Sequence, residues 1–170
     1  MKILVHGFGP YQKWRDNITV KVLGHLKDRK NLATKIFDVA FDSEMFLREI
    51  RENAPDVVIG MGQHPRARKI RIERTAVNRR RNSRDDVAEK IDPDGPDKLH
   101  VCLKIPAGPG LRITYNAGDY VCNFSMYVLG RYCVERNIRY GFLHVPMKMD
   151  PKVVAGIVDG IIDFVEGACV

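Results

Sequence analysis

Apolar and polar residues follow two different periods along the first half of the chain. Short, nearly continuous apolar runs predict buried strands at residues 2–6, 33–40 and 56–62. Between these runs, apolar residues recur every three or four positions, which predicts helices at residues 18–30 and from about 43 to 54. Strands that alternate with helices build a sheet covered by helices. The pattern therefore predicts an α/β fold.

The second half of the chain continues this alternation. Residues 70–78 alternate apolar and polar side chains, as a half-exposed strand does, and further strands are predicted at residues 99–105, 111–115 and 139–146. Residues 79–97 are polar and predict a long loop or a short hairpin. Helical spacing returns after Gly118 and again from Pro151 to about Gly167. A chain of 170 residues suffices for one well-buried domain. We therefore predict a single domain over residues 1–170, with three α/β layers and a mainly parallel sheet.

Cys122 is the first candidate for chemistry, because it falls in or next to the first turn of the helix after Gly118. Unpaired N–H groups and the positive end of the helix dipole stabilise a thiolate at such a position. The alternative is that Cys122 is a small buried hydrophobe, as we expect of Cys102 and Cys133. Spacing within this segment leaves both interpretations open.

Two other segments carry side chains that could act with a thiolate. His144 stands at the end of the predicted strand 139–146, and Glu73 lies within the alternating segment 70–78. A cysteine, a histidine and a carboxylate can serve as a nucleophile, its base and the group that orients the base. The sequence alone does not bring the three segments together.

Four sequence blocks resemble, in order, the signature segments of the pyroglutamyl peptidase I family of cysteine peptidases. They are Gly7-Phe8 with Pro10, Tyr11 and Asn17; residues 72–78 (Ile-Glu-Arg-Thr-Ala-Val-Asn); residues 116–123 (Asn-Ala-Gly-Asp-Tyr-Val-Cys-Asn) with Met126-Tyr127; and residues 141–146 (Gly-Phe-Leu-His-Val-Pro). The resemblance implies an α/β/α sandwich with a mixed central sheet. It also implies that Cys122 is the nucleophile, His144 the base and Glu73 the third member.

The same resemblance implies a substrate pocket. Phe8 and Tyr11 would clasp the flat pyrrolidone ring, although with Trp14 they could also simply cap the core. Gln63 falls where many members of the family carry a pocket glutamine. The family's Gly-Gly-Arg segment falls on residues 65–67 (Pro-Arg-Ala), so its oxyanion or orienting arginine is displaced to Arg66 or Arg68, or is lost.

The implied reaction removes an N-terminal pyroglutamate from peptides through an acyl-enzyme, with no metal and no cofactor. Two alternatives stay open at this point. One is an amidase with a different acyl specificity on the same three residues. The other is a noncatalytic relative that binds polyanions.

The second alternative comes from an uneven distribution of charge. The whole chain carries a net charge of +7, yet residues 66–84 alone hold nine basic residues and one acid, Glu73. Such a block could bind nucleic acid or another polyanion. We favour a solvated face or a subunit contact, because no aromatic residues are interleaved as in nucleic-acid sites.

Composition also bears on the compartment. No apolar stretch is long enough to cross a membrane, and the apolar start at residues 1–7 is too short for a signal peptide. The four cysteines, at positions 102, 122, 133 and 169, show no Cys-x-x-Cys pair and no disulfide framework. We therefore expect a protein of the reducing cytoplasm, and one that assembles as a homo-oligomer.

Overall fold

The computed structural model describes residues 1–11, 15–83 and 85–167. Within these ranges the chain forms eight strands and four helices. In chain order they are β1 (Ile3–Phe8), α1 (Ile18–Leu23), β2 (Leu32–Phe37), α2 (Ser43–Asn53), β3 (Val57–His64), β4 (Ile70–Glu73), β5 (Thr75–Val77), β6 (Lys98–His100), β7 (Leu111–Thr114), α3 (Val121–Glu135), β8 (Arg139–Pro146) and α4 (Pro151–Gly167). None of these helices is both long and apolar enough to cross a bilayer.

Six strands form one mixed sheet in the order β2-β1-β3-β8-β4-β7. The pairs β1–β2, β1–β3, β3–β8 and β4–β7 are parallel, and only β4–β8 is antiparallel. Strands β5 and β6 pair separately as a two-stranded antiparallel ribbon. The predicted α/β class and the mainly parallel, mixed sheet are confirmed.

Helices cover both faces of this sheet. Alternate residues of β8 enter two different hydrophobic cores, with Leu143 and Val145 on one face and Tyr140 and Phe142 on the other. Helices α1 and α4 supply the first core, and α2 and α3 supply the second. The sheet is therefore the middle layer of three. Since α3 covers the face towards which Phe142 points, that face receives the side chains at the start of α3.

The prediction of one half-exposed strand over residues 70–78 is wrong. The chain leaves the main sheet after Glu73 and joins the two-stranded ribbon at Thr75. Arg74 lies at the break, where its guanidinium donates hydrogen bonds to the carbonyl groups of Leu103 and Ile105. Glu73 is fully buried. The polar residues of this alternating segment therefore do not all face solvent, since one of them belongs to a buried polar site.

The predicted strand over residues 99–105 is also wrong beyond His100. The backbone of residues 101–105 forms hydrogen bonds without joining a sheet. Arg74 donates to the carbonyl groups of Leu103 and Ile105, and the Leu103 N–H donates to the Tyr140 carbonyl. Cys102 is exposed instead of buried, whereas Cys133 is buried as predicted.

Two further boundaries differ from the prediction. Helix α1 ends at Leu23 instead of continuing to residue 30, because Gly24 caps it and the next N–H groups bond back to the last turn. Strand β2 ends at Phe37, where its partner β1 also ends. The predicted helix start at Pro151 is confirmed.

Candidate active site

Helix α3 fixes the position of Cys122. Gly118 has a φ angle of +83°, a left-handed conformation that suits glycine, and the turn leads into a helix that begins at Val121. Tyr120, the N-cap residue, makes no side-chain capping bond, so the first N–H groups remain available for another acceptor. Cys122 is therefore in the first turn, as the sequence predicted.

Asn123 anchors this turn to the neighbouring ribbon. Its buried side chain accepts a hydrogen bond of 2.9 Å from Val77 N and donates to the carbonyl groups of Val77 and Arg79 at 2.9 and 2.8 Å. The amide therefore uses its acceptor and both donors on backbone. This anchoring fixes the residue next to Cys122.

Strands β8 and β4 bring His144 and Glu73 together. His144 Nδ1 lies 2.8 Å from Glu73 Oε1. Both side chains are buried, with exposed fractions of 5% for His144 and 0% for Glu73. Glu73 Oε2 is buried without a hydrogen-bond partner among the described residues. The carboxylate thus holds the histidine through Nδ1 and leaves Nε2 for chemistry.

Charges around His144 favour its protonated form. Burial lowers the pKa of His144, but the Cys122 sulfur and the Glu73 carboxylate raise it more, to about 9. At neutral pH the imidazole is therefore protonated, with the Glu73 carboxylate on Nδ1 and the Cys122 sulfur on its other side. That state complements a thiolate at Cys122.

Gly62 of β3 shows how close Cys122 and His144 are. A β-carbon placed on Gly62 would lie 2.6 Å from Cys122 Sγ and 3.2 Å from His144 Cδ2. Gly62 and His144 are also paired in the β3–β8 ladder. The sulfur and the imidazole therefore meet above a position where the sheet carries no side chain.

A cavity of about 170 Å³ opens beside Cys122. Its lining is largely apolar and aromatic, and consists of Phe8, Tyr11, Asn17, Val39, Gln63, Ala117, Tyr120, Val121, Cys122 and His144. The predicted pocket residues Phe8, Tyr11 and Gln63 all lie in it. Burial raises the pKa of Tyr11, and the Cys122 sulfur and Tyr120 add to this effect, so its hydroxyl stays neutral.

Gln63 offers this cavity a polar group. Its Oε1 accepts a hydrogen bond of 3.0 Å from Ile18 N, which fixes the orientation of the amide. Its Nε2 is buried and has no partner of hydrogen-bond geometry among the described residues. The Tyr11 hydroxyl lies near Gln63, which lowers the pKa of Tyr11 against the larger effect of burial. A ligand carbonyl would satisfy the free donor.

Arg66 and Arg68 lie outside the cavity. Both have exposed side chains on the connection between β3 and β4, and neither lines the space beside Cys122. The structure does not bring them together with the Cys122, His144 and Glu73 side chains. Trp14 lies outside the described residues, as does Arg84.

The basic block of residues 66–84 divides into two parts. In the second part, Arg81 forms an ion pair with Asp119 at 2.6 Å and Arg80 pairs with Glu89 at 3.0 Å. These side chains, like Arg74, are therefore engaged by other groups of the chain. In the first part, residues 66–71, Arg71 lies close enough to His64 to lower its pKa, and Arg66, Arg68 and Lys69 are exposed on the connection between β3 and β4.

Sequence reasoning missed His64. Its ring packs edge-on against His144, with centroids 5.4 Å apart and planes at 83°. Burial first of all, and then the charges of His144 and Arg71, lower the pKa of His64 to about 4, so the ring is neutral. The sequence did indicate this position, because His64 directly follows Gln63 at the end of a strand, and adjacent residues there lie at the same edge of the sheet. Val39 and Tyr120 line the cavity without any such signal.

A cysteine at a helix start, a histidine and a carboxylate on one face of a mixed sheet define an α/β protein with the constellation of cysteine-dependent acyl-transfer enzymes. Comparison with known proteins agrees with this class. The chain belongs to the pyroglutamyl peptidase family, whose sequence model it matches over residues 1–161.

Individual relatives support the same placement. Pyrrolidone-carboxylate peptidase 1 of Saccharolobus solfataricus is 28% identical over 167 residues, covering 86% of this chain and 79% of its own. The pyrrolidone-carboxylate peptidase of Finegoldia magna is 32% identical, covering 86% and 78%. Among solved structures, pyrrolidone carboxyl peptidase from Thermococcus litoralis superposes with a TM-score of 0.83 at 22% identity, covering 98% of this chain and 96% of its own. The fold is therefore shared.

Proposed function

We propose that the chain is a cysteine exopeptidase that removes N-terminal pyroglutamate from peptides. The observation that carries the proposal is the buried 2.8 Å contact between His144 Nδ1 and Glu73 Oε1, with Cys122 beside the same imidazole. In this assignment Cys122 is the nucleophile, His144 the general base and acid, and Glu73 the group that orients the imidazole.

The reaction begins with the thiolate of Cys122. Its proton resides on His144, whose raised pKa of about 9 keeps the imidazolium present at neutral pH. The sulfur attacks the carbonyl carbon that joins pyroglutamate to the next residue. Backbone N–H groups at the start of α3 are available to donate to the developing oxyanion, since Tyr120 makes no side-chain cap there.

The acyl-enzyme forms when the peptide leaves. His144 gives its proton to the departing amine, and the carbonyl carbon then stays bonded to Cys122 Sγ as a thioester. Neutral His144 next takes a proton from water, and the resulting hydroxide attacks the thioester. Free pyroglutamate leaves, and the thiolate–imidazolium pair is restored.

The cavity suits a neutral lactam. Among the described residues that line it there is no Asp or Glu, so these residues offer no carboxylate for the ammonium group of an ordinary N-terminus. Phe8 and Tyr11 present aromatic surface to a flat ring, and Gln63 Nε2 offers an unsatisfied donor to the lactam carbonyl. Its volume of about 170 Å³ suits a ligand of one small ring.

Two fluorogenic substrates test this assignment directly. We expect hydrolysis of pyroglutamyl-aminomethylcoumarin and no hydrolysis of prolyl-aminomethylcoumarin, which has the same ring size but carries an ammonium group and lacks the lactam carbonyl. Gln63→Glu should raise KM for the first substrate at least about tenfold, because it replaces the donor by an acceptor. Turnover of prolyl-aminomethylcoumarin at a similar rate would refute the proposed specificity.

A further inference from the structure

One row of residues crosses the main sheet at the level of the candidate site. Gly62 pairs with His144, His144 pairs with Arg71, and Arg71 pairs with Arg112. Directly paired residues point to the same face of a sheet. Since His6 pairs with Gly60, the same parallel register brings Phe8 level with Gly62. The row therefore runs over five strands, from an aromatic pocket residue to two arginines.

The proposed reaction indicates which end of this row lies beside the pyroglutamyl ring and which end lies beside the leaving peptide. The cavity beside Cys122 is lined from β1, β3 and β8 and from the start of α3, with no residue of β4 or β7. Under the proposed function the pyroglutamyl ring occupies that side. His144 protonates the departing amine, so the leaving peptide must lie on the opposite side of the scissile bond. That path continues over β4 and β7.

The leaving peptide would meet positive charge there. Arg71 is half-buried and Arg112 is exposed, and neither forms an ion pair within the described parts of the chain. Arg71 is close enough to His64 to lower its pKa, which places this cation at the rim of the site. The connection between β3 and β4 adds three exposed cations, Arg66, Arg68 and Lys69.

The surrounding acids do not cancel this charge. Glu73 lies on the same face, but it is buried and bonded to His144. Asp119 and Glu89 are engaged by Arg81 and Arg80 in the second part of the basic block. A net positive surface therefore borders the candidate site on its leaving-group side.

The distances allow a direct contact with the first residues of the leaving peptide. Neighbouring strands lie about 4.8 Å apart, so the backbone of β4 is roughly 10 Å from that of β3, above which the sulfur sits. An extended peptide advances about 3.4 Å per residue, so its second residue beyond the scissile bond reaches about 7 Å. An acidic side chain at the first or second position then comes within reach of the Arg71 guanidinium.

We infer that Arg71 and Arg112, with the cations of residues 66–69, form a leaving-group subsite that selects pyroglutamyl peptides with Asp or Glu just after the pyroglutamate. This inference rests on the proposed function. It assigns the first part of the basic block to substrate selection.

A second group of cations offers a matched control. Arg15, Lys21 and Lys148 border a second cavity of about 570 Å³, which shares Gln63 with the first and extends to Met149 and Pro151. Lys21 is neutralised by Asp16 at 2.9 Å. The substitution Lys148→Gln removes one charge near the site but away from the proposed path.

The test compares two peptides that differ in one charge. Pyroglutamyl-glutamyl-alanine amide and pyroglutamyl-glutaminyl-alanine amide have nearly the same size, and kcat/KM is measured for each by release of free pyroglutamate. We expect the wild type to prefer the glutamyl peptide by about threefold to tenfold at low salt, the range for one or two partly screened ion pairs. In 1 M salt the ratio should approach one, because the Debye length falls to about 3 Å.

The variants then locate the selectivity. Arg71→Gln combined with Arg112→Gln should lower the ratio to about one, whereas Lys148→Gln should keep the wild-type ratio. A wild type that cleaves both peptides equally would overturn this inference and leave the proposed function intact. A ratio that survives the double substitution, or that is lost in Lys148→Gln, would also overturn it. If neither peptide nor pyroglutamyl-aminomethylcoumarin is cleaved, the proposed function fails first.

Discussion

Gly62 sets the distance between the sheet and the reacting sulfur, and a single methyl group there perturbs the site directly. In Gly62→Ala the new β-carbon would lie 2.6 Å from Cys122 Sγ, 3.0 Å from Phe142 Cζ and 3.2 Å from His144 Cδ2. Favourable contacts between nonbonded heavy atoms begin near 3.5 Å. The sulfur must therefore move by about 1 Å, or the helix start that carries it must shift.

We expect Gly62→Ala to reduce catalytic activity more than stability. A displacement of about 1 Å at the reacting atoms reduces rates by a factor on the order of 100. Stability should change less, because alanine gains about 0.5–1 kcal/mol over glycine within a strand, whereas the crowding costs about 1–3 kcal/mol. We therefore predict an approximately 100-fold loss of kcat/KM with a loss of no more than about 3 kcal/mol in unfolding free energy.

The assay is hydrolysis of pyroglutamyl-aminomethylcoumarin, combined with urea unfolding of the same preparations. Gly160→Ala is the matched control, because a β-carbon at this position of α4 meets no heavy atom of the described residues within 4 Å. The control should retain wild-type activity. Full activity in Gly62→Ala would refute the placement of Cys122 above this glycine.

Three further predictions concern the groups around the site. Burial lowers the pKa of His6 to about 3, so its folded state stays neutral while the unfolded chain takes up a proton below pH 6.5. The contribution of neutral His6 to the unfolding free energy is therefore fully present above pH 6.5, and it falls by roughly 1.4 kcal/mol per pH unit towards pH 3. Between pH 7.5 and 4.5 the wild type should lose about 2–3 kcal/mol in this way, and His6→Leu should not show that loss in urea titrations. Glu73→Gln should reduce kcat on the order of 100-fold or more. It should also move the alkaline limb of the pH–rate profile to lower pH, because the carboxylate helps to hold the pKa of His144 near 9. An alkaline limb at the wild-type position would contradict the role assigned to Glu73. Asn123→Ala removes three hydrogen bonds to the part-buried backbone of Val77 and Arg79. At roughly 1 kcal/mol per bond it should lower the unfolding free energy by about 2–4 kcal/mol, measured by thermal and urea denaturation.

The sequence predicts most of the central sheet because its strands are apolar and pass between two helical layers. Strands β3 and β8 read as continuous apolar runs, and their burial on both faces explains that pattern. The position of Cys122 follows equally well from the turn at Gly118. These features depend on neighbouring residues, which a single sequence displays.

Features that depend on distant contacts were not predictable in this way. The break at Arg74 exists because its guanidinium binds carbonyl groups about thirty residues away, at Leu103 and Ile105. The same bonds replace a strand after His100. His64 joins the site only because β3 and β8 pair in a register that brings its ring against His144. The roles of Cys122, His144 and Glu73 in catalysis stay predictions until activity is measured.

Hydrolysis of pyroglutamyl-aminomethylcoumarin by the wild type, by Cys122→Ser and by Cys102→Ser, in reducing buffer, tests the central claim most directly. Cys102 is exposed, and its sulfur contacts the backbone around Tyr140, away from the cavity beside Cys122, so its substitution controls for the loss of a thiol. The account predicts turnover by the wild type and by Cys102→Ser, and none by Cys122→Ser. Turnover that survives in Cys122→Ser, or a folded wild type that releases no fluorophore, would contradict it.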